Sequence, residues 1–329
     1  MTIAATPLPT APVRRRWPSL ELLAVGVLAA IVFRPVLARL FAGPAMATWA
    51  TMFVSLSVQA LPFLVLGVLV SGAIAALVPP GWLARVLPRR PAVAVPLASV
   101  AGMALPGCEC GSVPIAGRLV ASGAPPPAAL AFMLAAPAVN PVVLVATAVA
   151  FPGRPEVVLA RFLASLATAV TVGLGWARFG RRSWTERADR APSPVASRWS
   201  TFTATARHDF GHAGGFLVVG AASAATLQVV VPRSLLDSVG GSGFGAVLTL
   251  GLLAVLLAVC SEADAFVAAS LTQFSPTARL VFMVVGPAVD VKLVALQAGT
   301  FGRDFAVRFA PATFAVAVAC AVVVGWWLL

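Results

Sequence analysis

Apolar residues along this chain come in long unbroken runs joined by short basic or Pro/Gly-rich stretches. A membrane-crossing helix needs about 20 consecutive apolar residues. Runs of that length fall at 20–42, 55–78, 127–151, 157–178, 212–231, 277–299 and 306–328. The runs are continuous, with no alternation of period two, which excludes a barrel. The pattern predicts an all-α polytopic transmembrane bundle. Two further apolar stretches, 92–121 and 241–272, do not read as plain spans. A polar patch interrupts each, Cys108-Glu109-Cys110 in the first and Cys260-Ser261-Glu262-Ala263-Asp264 in the second. Pro96, Pro106, Gly107, Gly111 and Pro114 break the first still more. Such breaks are tolerated at membrane depth only when buried in protein or lining a cavity, so both stretches are read as broken or re-entrant helices.

Composition agrees. Hydrophobic residues make up 60% and charged residues 10% of 329, against about 25% charged in a soluble domain, and mean hydropathy is +0.97. The net charge of +12 is no sign of a nucleic-acid partner, because the arginines flank apolar spans. Seven lie between Arg178 and Arg207, and three form Arg14–Arg16. Basic flanks belong on the cytoplasmic side, against anionic lipid. With Arg14–Arg16 inside, a single crossing by 92–121 would put the Arg-rich loop 179–211 outside. A hairpin entering and leaving on one side keeps that loop inside, together with Arg85, Arg89 and Arg90. Arg34 and Arg39, near the outer end of the first helix, are the exception. The N-terminus, Pro/Thr-rich and then basic, shows no cleavage site, so its helix is read as retained. No cysteine lies in an extramembrane loop, and no disulfide framework is expected.

A shift of 150 residues aligns 110–151 with 260–301 without a gap. Cys110 meets Cys260, Pro126 meets Pro276, and Phe132-Met133 meets Phe282-Met283. Pro137-Ala138-Val139 meets Pro287-Ala288-Val289, Phe151 meets Phe301, and Asn140 faces Asp290. Upstream, FLVLG at 63–67 resembles FLVVG at 216–220, and Pro79 and Pro232 end those helices. The expected organisation is a basic tail and first helix (1–54), repeat one (55–178), an Arg-rich cytoplasmic loop (179–211) and repeat two (212–329). By span parity the repeats are inverted, a common transporter plan in which discontinuous helices meet near the midplane.

Four of the 11 acidic residues, Glu109, Glu262, Asp264 and Asp290, sit in these apolar regions with the only lysine, Lys292. Intramembrane charge is costly and marks a pathway or a partner. Asp290 and Lys292 have a second reading, as a pair that only neutralises itself. Thiolates favour soft ions, carboxylates harder ones. Cys108 and Cys110, two apart in an irregular turn, can present both sulfurs to one site, with Cys260 one repeat away. Candidate substrate-binding residues are Cys108, Glu109, Cys110, Asn140, Cys260, Glu262, Asp264, Asp290 and Lys292. Cys108, Cys110 and Cys260 are the candidate metal ligands. Cys320 reads as a small apolar core residue. His208 and His212 share a helix face, as a metal pair or simply a helix start at the membrane interface. Pro137, Asn140 and Pro141 break the helix 127–151, either as a packing kink or to line a path with carbonyls. No phosphate-binding G-x-x-x-x-G-K-[ST] occurs, so energy would come from an ion gradient, a separate subunit, or neither. No cofactor is expected.

GCECGSVPIAGRLVASG, followed by PPPAALAFMLAAPAVNPVV, resembles the predicted-permease family that includes the organoarsenical efflux permease ArsP. CSEADAFVAASLTQFSPTARLVFMVVGPAVDVKL resembles it too, and the likeness covers roughly 55–329. The resemblance implies a multi-pass permease of the bacterial inner membrane, with Cys108 and Cys110, and less directly Cys260, as thiol ligands for trivalent organoarsenicals. Glu109 between the cysteines and the acidic second box depart from that pattern and bring metal ions, zinc included, into competition. The expected function is efflux of a thiophilic or metal-like solute by a secondary mechanism. The alternative is a membrane subunit or scaffold without transport of its own. An enzyme is not expected, since thiols beside carboxylates without a buried histidine pair poorly as nucleophile and base. The lipid bilayer, a second membrane subunit and a homo-oligomer are the partners to test.

Overall fold

A computed structural model describes residues 43–79, 81–88, 90–105, 108–180, 197–230 and 243–329. The expected helix 20–42, Arg14–Arg16, Arg34, Arg39, Arg89, Pro106, Gly107, Pro232 and 181–196 of the Arg-rich loop lie outside them. The chain divides into 1–48 and 49–329; apart from the opening residues 44–48 of the first helix, everything that follows lies in the second unit. The described residues are helical and include no strand. In chain order the helices are α1 (Pro44–Leu77), α2 (Trp82–Val86), α3 (Pro91–Ala101), α4 (Glu109–Ala121), α5 (Pro126–Val139), α6 (Pro141–Ala150), α7 (Pro155–Phe179), α8 (Arg198–Val230), α9 (Phe244–Leu257), α10 (Asp264–Ser270), α11 (Pro276–Ala288), α12 (Val291–Thr300) and α13 (Arg303–Leu328).

Among the described residues, six segments are long and apolar enough to cross a membrane: α1, α5 with α6, α7, α8, α11 with α12, and α13. They match the six predicted runs beyond residue 50. Helices α1 and α8 begin upstream of their apolar cores, at Pro44 and Arg198. Residues 198–211, expected in the Arg-rich loop, are therefore helical. Hydropathy marks where a helix meets lipid and is silent about a polar extension. The outer surface is apolar: Val58, Val145, Val149, Val307 and Val323 point outward. Trp326 and Trp327 are exposed at the end of α13, where indole rings suit a headgroup boundary.

Proline opens α3, α5, α6, α7 and α11; its missing N–H costs nothing in a first turn. The two awkward stretches are both broken. Helix α3, about 16 Å long at 1.5 Å per residue, runs parallel to α5. Ala94 and Ala98 pack on Ala128 near its start, and Gly102 lies against Ala135 and Ala136 near its end. Helix α4 then returns antiparallel, and the turn after it brings Gly123 against Gly81 and Ala84, just ahead of α3. Helices α3 and α4 thus rise and return to the level that α3 left, the geometry of a re-entrant hairpin. Helix α9 runs parallel to α11 likewise, with Gly251 beside Val281 and Gly286 beside Ala254.

The Arg279 guanidinium, in the first turn of α11, lies over the Phe151 ring at the end of α6. At the other end, Gly117 of α4 faces Thr300 of α12. The broken helices α5–α6 and α11–α12 therefore run antiparallel. So do α1 and α8, where Trp49 donates to Thr226 and Gly72 faces Phe202. The hairpins enter from opposite ends, and Cys108 of the first meets Cys260 of the second in the interior.

Candidate functional site

Each hairpin tip is a place where one half-helix stops and another starts. Cys108 and Cys260 do the same work there. The Cys108 carbonyl accepts from the N–H groups of Gly111 and Ser112, and that of Cys260 from Ala263 and Asp264. Cys108 thus caps α4, and Cys260 opens the turn that leads into α10. The gapless repeat pairs Cys110 with Cys260, but by local hydrogen bonding the counterpart is Cys108. In the second tip Ala258 takes a left-handed conformation (φ 48°), the only non-glycine residue to do so among those described. Strain of that kind persists where surrounding structure holds it, often at working sites.

The ligand atoms of Cys108, Glu109 and Cys260 all lie within 4.8 Å of one another, and all three residues are buried. Among the described residues this is the one such cluster. It keeps two of the three expected thiols and adds a carboxylate. Cys110 is buried in the first turn of α4, outside the trio. The Lys292 ammonium donates to Glu109 Oε1 at 2.7 Å and stands 3.9 Å from Cys260 Sγ. Asp290 Oδ2 is farther, at 3.5 Å. The expected Asp290–Lys292 pair exists, but Glu109 is the closer partner.

Asp290 and Asn140 have a second duty. Asn140 Oδ1 accepts from Val143 N at the start of α6, and Asn140 Nδ2 donates to Ala136 O. Asp290 Oδ1 accepts from Leu293 N at the start of α12. Both residues satisfy backbone groups freed where a helix is broken, as N-caps do. Lys292 reaches the tips because Gly220 lets α8 approach: a Cβ there would lie 2.7 Å from Lys292 Cα.

Asp264 belongs to a neighbouring pair. Arg161 of α7, fully buried, donates to Asp264 Oδ2 at 2.7 Å, to Ser261 O at 3.0 Å and to Thr147 Oγ1 at 2.8 Å. One guanidinium thereby ties α7, α6 and the second tip together. Arg161 was not among the residues singled out from sequence, although a charge inside the run 157–178 is a signal of this kind. Glu262 is half-buried, with Ser261 Oγ 3.5 Å from its carboxylate.

A second polar cluster, also missed from sequence, lies at the far end of α4. Arg118 contacts Asp209 Oδ2 at 3.4 Å, and Ser71 donates to the same oxygen at 2.6 Å. It joins α4, α8 and α1. Beside it, His208 and His212 stack with ring centroids 5.9 Å apart on an exposed face. Cys320 is half-buried on α13.

Counted formally, Arg161 cancels Asp264, while Glu109 and Asp290 exceed Lys292 by one negative charge. The tips thus meet in a buried cluster of thiols and carboxylates that holds, counted formally, more carboxylates than cations.

The UPF0718 protein YcgR of Bacillus subtilis (strain 168) is 34% identical over 263 residues, 78% of this chain and 89% of that protein. A Streptococcus mutans protein whose name reads "Putative two-component membrane permease complex subunit" is 30% identical over 282 residues, 83% of this chain and 93% of its own. No solved structure matches. A family model described as predicted permease matches residues 45–326, from the first turn of α1 to Trp326 near the end of α13. Both tips fall inside that match, and this multi-pass bacterial membrane protein belongs to the predicted permease family.

Proposed function

We propose that the chain is a secondary permease for a thiophilic cation, which binds between the two hairpin tips on Cys108, Glu109 and Cys260. The observation that carries this reading is the trio of ligand atoms within 4.8 Å, buried and drawn from both halves. Two sulfurs and one oxygen suit a borderline-soft ion such as Zn²⁺ or Cd²⁺. The surplus negative charge favours a cation over a neutral organoarsenical, which remains the competing substrate. The tips come from inverted repeats, 55–178 and 212–329, so rocking one half against the other would open the site to alternate faces. The antiparallel course of α5–α6 and α11–α12 and their shared breaks at Asn140 and Asp290 support that plan.

The test is flux. Purified protein in liposomes is expected to move Zn²⁺ or Cd²⁺, and Cys108→Ser or Cys260→Ser to reduce the rate at least tenfold. A trivalent organoarsenical forms the second arm. Folded protein that moves none of these, or moves them equally well without the thiols, overturns the reading. The name of the Streptococcus mutans relative favours a second reading, in which the chain works only beside another membrane subunit. Flux in cells expressing both subunits, absent with this chain alone, would establish it.

A further inference from the structure

Lys292 occupies the place a substrate cation would need. Its ammonium is 2.7 Å from Glu109 Oε1 and 3.9 Å from Cys260 Sγ, so it already neutralises one ligand of the trio and crowds another. A second acceptor is within reach. Asp290 Oδ2 is 3.5 Å from Lys292 Nζ, is buried, and accepts no hydrogen bond. Glu109 Oε2 accepts none either. Asp290 Oδ1 is fixed as the cap on Leu293 N, which holds the carboxylate in position whether or not Oδ2 is engaged. The side chain of Lys292 is long and ends in a compact point charge, so a small rotation suffices to exchange carboxylates.

We infer that Lys292 is a tethered counter-cation that the substrate displaces. In the empty protein it rests on Glu109. An arriving cation takes Glu109 together with Cys108 and Cys260, and Lys292 passes to Asp290. When the substrate leaves, Lys292 returns and the site closes on itself with its charges paired. No electron moves in this exchange: each cysteine that ligates the cation gives up its thiol proton to solvent, and two cations trade places on two carboxylates. The inference rests on the cation-site reading above. It assigns Asp290, which lies outside the trio, to positioning, and makes Lys292 the residue that sets affinity.

The fold supplies its own conservative variant. The first half has asparagine at the matching break, where Asn140 Oδ1 caps Val143 N as Asp290 Oδ1 caps Leu293 N. Asp290→Asn should therefore keep the cap and remove only the charge. Binding of Cd²⁺ to the full-length purified protein would be followed by sulfur-to-metal charge-transfer absorbance. Four variants join the wild type: Lys292→Met, Asp290→Asn, their double and Cys260→Ser, each checked for a folded state by a cooperative melting transition above the assay temperature.

Displacement predicts that Lys292→Met binds Cd²⁺ at least tenfold more tightly and that Asp290→Asn binds it at least tenfold more weakly. It also predicts that Asp290→Asn has a much smaller effect, about threefold or less, once Lys292 is gone. Plain through-space attraction by Asp290 would give the same factor in both backgrounds. Additivity is the expectation for residues that do not act as a unit, and it would overturn the inference. So would Lys292→Met binding no tighter than wild type. Should that variant fail to fold, Lys292→Gln replaces it with the same expectations. Signal lost in Cys260→Ser while the cycle is additive leaves the site standing and removes only the displacement. No Cd²⁺ signal in any variant removes both.

Discussion

Arg161 shows how much one side chain holds in this interior. Its three hydrogen bonds reach a carboxylate, a carbonyl and a hydroxyl on two other segments. Breaking a buried pair by removing one partner leaves an uncompensated charge and costs about 3–5 kcal/mol, whereas replacing both by apolar groups is often near neutral. Arg161→Met is therefore expected to destabilise the protein by about that amount, seen as a lower melting temperature in detergent. Arg161→Met/Asp264→Leu should recover most of the loss. A double variant as unstable as the single would mean that the Ser261 and Thr147 contacts, not the ion pair, matter. Asp264, Asp290, Glu109 and Lys292 were legible because a charge in an apolar stretch stands out. Arg161 and Arg118 were not, because arginines near span ends normally carry their charge to the interface along the aliphatic stem. Depth decides between these roles, and depth comes only from packing.

Helices in this protein approach one another through small residues. A Cβ on Gly67 would sit 2.5 Å from Gly111 Cα, so α1 and the first hairpin touch backbone to backbone just beyond the Cys108 tip. Gly220 does the same for α8 against Lys292. Small residues at such crossings let dispersion hold helices together where lipid removes the hydrophobic incentive. Gly67→Ala and Gly220→Ala should each cost about 1–3 kcal/mol, the usual range for overpacking, and should also slow flux by shifting a tip. Gly175→Ala, with nothing within 4 Å, is the control and should be neutral or stabilising by up to about 1 kcal/mol. Melting curves and liposome flux on the three variants check this. Equal behaviour would show that the close approaches are not needed. At this scale most of the architecture was readable: proline-led starts, six spans and two broken stretches all follow from local chemistry. What could not be read is how long each half-helix runs. Helix α4 has 13 residues and α10 has 7, although the aligned segments that contain them run without a gap. That difference is set by the neighbours each half packs on.

Across the whole molecule the question is which ends share a face. The 150-residue offset was visible in the sequence because Cys, Pro, Phe and Met recur, but offset alone carries no direction. Direction came from arginine placement, and part of that argument rests on residues outside those described. The packing offers an independent route. Phe151 and Arg279 are in contact, so the turns at 151–154 and 271–275 lie at one end of the bundle. Gly117 and Thr300 are in contact, so the turn after α4 and the start of α13 lie at the other. Cysteines introduced singly on a Cys320→Ala background, where the remaining native thiols are buried, turn this into a labelling experiment. Pro152→Cys and Gln273→Cys are exposed at the first end, and Arg303→Cys and partly exposed Ser122→Cys at the second. With an impermeant thiol reagent on intact cells, the first pair should label from one face and the second pair only from the other. Parallel repeats would instead separate Pro152→Cys from Gln273→Cys, because equivalent turns would then follow equivalent crossings. That result would leave the Cys108–Glu109–Cys260 cluster without two opposed hairpins to open it alternately, and the transport reading would lose its mechanical basis along with its topology.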